Sequence, residues 1–181
     1  MLAVGGALLA LLIAACTTDE DPTPAPTTAA PSASPTPSVA PSVTAAEQQA
    51  IGAYNGYIQT YALASQVADP DDPNLLRYLA NPLLSLTQHN IRKLKNIGAV
   101  QIGSQKATVL DSTVDLAAKP PKVTIRSCLD YSALKLVYKS NQSPVPNSEI
   151  KEKELAAVAT VTLHTTGQWL VTESKQGSHT C

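Results

Sequence analysis

Residues 119–138 read KPPKVTIRSCLDYSALKLVY, and their alternation decides how the second half of the chain folds. Val123, Ile125 and Leu129 fall on one face of a strand, against Thr124, Arg126, Cys128 and Asp130 on the other. A strand with one apolar and one polar face lies half-buried, as in an antiparallel sheet. Lys119-Pro120-Pro121-Lys122 is the turn that admits it. A second short strand follows near Leu134 to Tyr138, ahead of the polar loop Asn141 to Ser148.

Working outward, Val114 and Leu116 alternate with Thr113 and Asp115 just before the turn. Ala157, Ala159, Val161 and Leu163 alternate with Val158, Thr160, Thr162 and His164. Thr165-Thr166-Gly167 closes a hairpin, and Trp169 and Val171 begin the last strand.

Toward the N-terminus the period changes from two to 3.6. Thr44-Ala45-Ala46-Glu47 reads as a capping box that starts a helix. Ile51, Tyr54, Ile58, Tyr61 and Ser65 give it an apolar stripe, and Asp69-Pro70-Asp71-Asp72-Pro73 ends it. Asp72 before Pro73 predicts a second, short helix to about Leu79. Asn81-Pro82 predicts a third. Leu83, Leu84, Leu86, Ile91, Leu94 and Ile97 form its apolar face, and Gly98 stops it. Three helices before a meander of antiparallel strands make an α+β domain, predicted from Thr44 to Cys181.

Ahead of that domain, residues 17–43 hold seven of the chain's 14 prolines, no aromatic residue and almost no large aliphatic one. Such a segment cannot bury enough apolar surface to offset its ordering entropy, and its prolines favour an extended polyproline II stalk. Residues 16–43 are therefore expected to be a disordered linker. Residues 2–15, LAVGGALLALLIAA, form an apolar run about 21 Å long as a helix, too short for a bilayer core of about 30 Å. It suits the apolar core of a signal peptide, residues 1–15.

Ile13-Ala14-Ala15-Cys16 resembles the lipobox of bacterial lipoproteins. The resemblance implies cleavage before Cys16, a lipid on its sulfur, and a protein tethered by palmitate-like chains to the extracytoplasmic face of the plasma membrane. One element of that pattern is missing, since the first Lys or Arg is Arg77. With Cys16 lipidated, Cys128 and Cys181 remain as a pair. In oxidising surroundings a structural disulfide is the expectation, because no CxxC and no neighbouring His cluster suggests redox or metal chemistry.

The order of elements is similar to the NTF2-like (SnoaL-like) fold, a cone in which a curved sheet wraps the first helix. More narrowly, residues 119–138 together with ATVTLHTTGQWLVTESKQGSHTC, residues 159–181, resemble small actinobacterial secreted lipoproteins. The shared elements are a strand–Cys–Leu–Asp segment, a hairpin ending in Trp-x-Val, and a terminal cysteine. That resemblance implies a fold and a compartment but little chemistry.

Three of the 14 acidic residues lie in the linker, leaving eleven against 13 basic ones, so the domain is nearly neutral. No basic block suggests nucleic acid. No Gly-rich phosphate loop, Ser-His-Asp arrangement or paired carboxylates appear, and no metal or other cofactor is expected. In a cone, Tyr54, Tyr57, Tyr61 and Asp111 are the candidate ligand-lining residues. His89, Asp130 and His164 are further acid/base candidates, each better explained as a surface or boundary group. Arg92, Lys93 and Lys95 form a small basic patch on the third helix, solvated or turned to anionic polymer or headgroups.

The leading expectation is a non-catalytic binding or interaction module at the cell envelope. Its partner would be an envelope protein, a cell-wall polymer or a small apolar ligand, and a homodimer through the open sheet face is a further expectation. The alternative is an enzyme of the SnoaL-like or ketosteroid-isomerase-like kind, acting on a small hydrophobic molecule in the cone. A carboxylate or histidine facing open volume inside the cone would separate the two.

Overall fold

A computed structural model describes residues 42–177 and 180–181. The expected signal peptide, Cys16 and almost all of the linker lie outside them. The fold is α+β: two α-helices packed on antiparallel sheet. The elements are α1 (Val43–Val67), a 3-10 helix (Pro73–Arg77), α2 (Leu83–Asn96), β1 (Ala99–Ile102), β2 (Lys106–Asp115), β3 (Lys122–Asp130), β4 (Lys135–Tyr138), β5 (Glu154–Leu163) and β6 (Trp169–Gln176). The main sheet runs β2-β3-β5-β6, and β1 pairs with β4 in a separate two-stranded sheet.

Helix α1 starts two residues earlier than the capping-box reading placed it. The Ser42 side chain, not Thr44, caps it by accepting from the Ala45 N–H. Glu47 is thereby freed, and it accepts the Ser112 hydroxyl of β2. The face that α1 buries is wider than the expected stripe and is built on small residues: Ala46, Ala50, Ala53 and Ala64 are buried with Tyr54, Tyr57 and Ile58. Small side chains let the helix lie close on the sheet, where it packs against all four strands. At its end Ala68 turns left-handed.

The short second helix is capped as expected, with Asp72 accepting from the Asn74 N–H and Pro73 at its first position. It is a single 3-10 helix rather than an α-helix, so the described residues form two α-helices and not three. Pro82 occupies the cap position of α2 without a side-chain cap, while Asn81 accepts the Ser85 hydroxyl instead. Of the apolar face read for α2, Leu83 and Ile91 are buried, whereas Leu86 and Ile97 are exposed.

In β3, Val123, Ile125, Ser127 and Leu129 point inward, as their alternation requires. Both outer strands of the sheet carry a β-bulge. In β2, Val109 pairs with Ser127 and Asp111 with Arg126, so Leu110 is the extra residue. In β6, Val171 pairs with Val161 and Glu173 with Thr160, which leaves Thr172 as the extra one. A bulge swaps the faces of every later residue. It turns Asp111 outward, and it turns Ser174 and Gln176 inward.

The core lies between α1 and the inner face, with Leu75, Leu79, Ile91, Tyr131 and Trp169 completing it. The start of β6 is covered on its free side: the Val171 N–H donates to the Tyr78 carbonyl and the Ala80 N–H to the Val171 carbonyl. Cys128 and Cys181 are bonded, their Cα atoms 5.7 Å apart. The bond lies on the outer face, where Cys128 sits between Thr108 and Ala156 in register.

Candidate functional site

A cavity of about 540 Å³ opens between α1, α2 and the end of the main sheet. Each wall follows from an element already described. From α1 come Tyr57 and Tyr61, one turn apart on the same face, and Ile58 beside them. From α2 come Leu83, Thr87 and Leu94, with Leu86, Asn90 and Lys93 toward the solvent side. Leu129 and Tyr131 at the end of β3, and Leu134 and Leu136 around β4, close the far side. Ser174 and Gln176 enter because of the bulge in β6, and Gln101 and Gln105 flank the short β1 strand's end.

The lining is apolar with neutral polar groups set into it. Among the described residues, none that lines it is Asp, Glu, His or Cys, and Lys93 is the one cation. The tyrosines hold their protons. Burial drives Tyr57 well above its ordinary value and pushes Tyr131 up to about 12. Tyr61 is raised by burial as well. Their hydroxyls therefore stay protonated near neutral pH and can donate hydrogen bonds. Tyr131 accepts from the Gln176 side chain. Gln105 is nine-tenths buried, and its side-chain carbonyl oxygen has no partner among the described residues. A buried acceptor of this kind is satisfied by a water or by a bound molecule.

The sequence-read candidates divide. Tyr57 and Tyr61 line the cavity. Tyr54 does not: it is fully buried, and its hydroxyl is 2.7 Å from the Ser127 hydroxyl. Asp111 is on the opposite side of the sheet, exposed, 3.0 Å from Arg126 in an ion pair. The bulge at Leu110 is what sends it there, so it cannot line the cavity. Asp130 is also on the outer face, held below its usual range by hydrogen bonds from Ser132. His89 is exposed on α2, and His164 is half-buried beside the β5–β6 turn.

Sequence reading missed Gln101, Gln105, Tyr131, Ser174 and Gln176. The first two lie around a four-residue strand in which Ala99, Val100 and Gln101 are all buried, so no alternation marks it. The last two face inward only because of a bulge that has no sequence signature. Among the described residues no three His, Cys, Asp or Glu side chains converge as a metal site would need, and no helix is long and apolar enough to cross a membrane.

No protein-family model matches the chain, and no curated protein does. Among solved structures, the chain is similar to the intermembrane space region of the chloroplast protein ARC6, at 14% identity and a TM-score of 0.46, over 71% of this chain and 94% of that one. A likeness that distant says nothing of what this chain does.

Proposed function

We propose that the chain is a lipid-anchored, extracytoplasmic binding protein: a non-catalytic NTF2-like domain behind a proline-rich linker that holds a small apolar ligand in its cone. The cone is the region between α1, which lies along the inner face of the four-stranded sheet, and α2, which flanks the opening. The lipobox-like Ile13-Ala14-Ala15-Cys16 supports the anchor.

One observation carries the binding reading. The cavity is within the roughly 300–1,000 Å³ typical of small-molecule sites, and its lining offers hydrogen-bond donors without a general base. General acid–base catalysis needs a titratable group tuned toward neutrality within reach of substrate. The buried tyrosines are moved the other way, and the one acid expected to point inward, Asp111, faces outward. Among the described residues the isomerase-like alternative has no base in the lining.

The test is titration of the exported protein with Nile red, a neutral dye that brightens in apolar surroundings. Saturable binding at one site per chain is the expected result, and fluorescence no greater than that of a cavity-filled variant sinks the reading. Metabolic labelling with a palmitate analogue tests the anchor, with loss of label in Cys16→Ser expected.

A further inference from the structure

We infer that the ligand is a single-chain amphiphile with a carboxylate head, a fatty acid, whose head is met by Lys93 at the mouth of the cavity. The inference rests on the binding reading above and adds the charge and the shape of what is bound.

The charge comes from Lys93. It is exposed on α2, it lines the cavity, and it makes no ion pair among the described residues. Its neighbour Arg92 is engaged with Asp71 at 3.5 Å. With no carboxylate among the described lining residues, none of them neutralises Lys93. A lone ammonium at the rim of an apolar, low-dielectric opening attracts an anion and repels a cation. Asn90, one turn before it on the same face, offers an amide N–H to the same oxygen atoms.

The shape comes from the walls. Leu83, Leu94, Leu129, Leu134, Leu136 and Ile150 supply the apolar surface inward of Lys93. The cavity of about 540 Å³ falls in the usual range of a small-molecule site, a size that suits one acyl chain. Its tyrosine hydroxyls are neutral, so they add no competing anion.

The experiment compares lauric acid, 1-dodecanol and dodecylamine as competitors for Nile red on the full exported protein, below their micellar concentrations and near pH 8. Laurate is expected to bind best, dodecylamine worst and dodecanol between them. Lys93→Glu is a surface substitution that leaves the core untouched, and circular dichroism checks that it does. It should weaken laurate about three- to tenfold and strengthen dodecylamine by a similar factor, the size of one exposed charge pair made and then reversed. Dodecanol should not change. If laurate and dodecanol compete equally, or Lys93→Glu leaves laurate unaffected, the head-group assignment is overturned while Nile red binding still stands. If none of the three displaces bound Nile red, the amphiphile itself is overturned.

Discussion

The hydroxyls of Tyr54 and Ser127 lie 2.7 Å apart, fully buried, and join α1 to β3 across the core. This one contact explains why a tyrosine read as ligand-lining is structural. Each hydroxyl satisfies the other, and neither has water to fall back on.

Tyr54→Phe should therefore cost about 1–3 kcal/mol, the penalty of stranding the Ser127 hydroxyl. Ser127→Ala should cost a similar amount. The double variant should be less destabilised than the two losses added together, because it leaves nothing unpaired. Urea denaturation of the four proteins measures the coupling.

The Cys128–Cys181 bond closes a separation of 53 residues. In the chain-entropy description, a loop of that length is worth about 4 kcal/mol at most. Replacing both cysteines with serine should lower the melting temperature markedly, and a reductant should reproduce the drop in the parent protein but not in the double variant. Cys128 lies on the outer face, so the cavity should be unaffected and Nile red should still bind.

Alkaline pH should unfold the domain through its tyrosines. The ordinary tyrosine value is 10.0, which the unfolded chain regains, whereas burial holds Tyr131 at about 12 and Tyr57 higher still. Above about pH 10 the unfolded state loses protons that the folded state keeps, so stability falls as pH rises. For Tyr131 the loss runs from about pH 10 to about 12, and below pH 10 its contribution is complete. Denaturation at rising pH should show this decline, and Tyr57→Phe should flatten it. Tyrosinate absorbance should appear late and then jump with unfolding.

Filling the cavity separates binding from folding. Leu134 is half-buried and lines the opening. Leu134→Trp should occupy part of the volume while leaving the helices and sheet intact, because the site has room for the larger ring. Nile red and laurate affinity should each fall at least tenfold, with the melting temperature changed little.

How far the fold could be read depended on whether each signal was local. Strand β3 was plain because Val123, Ile125 and Leu129 keep one face apolar despite the polar Ser127 between the last two, and Asp72-Pro73 marked its short helix correctly. The 3-10 geometry there was not legible, since the cap chemistry is the same for either helix. Strand β1 was missed because burial on both sides erases the period of two. The cavity was read only through Tyr57 and Tyr61. Its other members come from segments far apart in sequence, and two of them face inward solely through the extra residue Thr172. Asp111 failed for the matching reason at Leu110.

The free sides of the two outer strands have a consequence of their own. Backbone amides left open along a strand invite a second molecule to dock there and extend the array. Here Tyr78 and Ala80 already occupy the first rungs beside Val171, and the kink at Leu110 together with the charges of Lys106, Asp111 and Asp115 spoils the opposite border. Neighbouring copies meeting border to border find no straight ladder to lengthen, which guards the protein against fibre-like stacking at high local concentration.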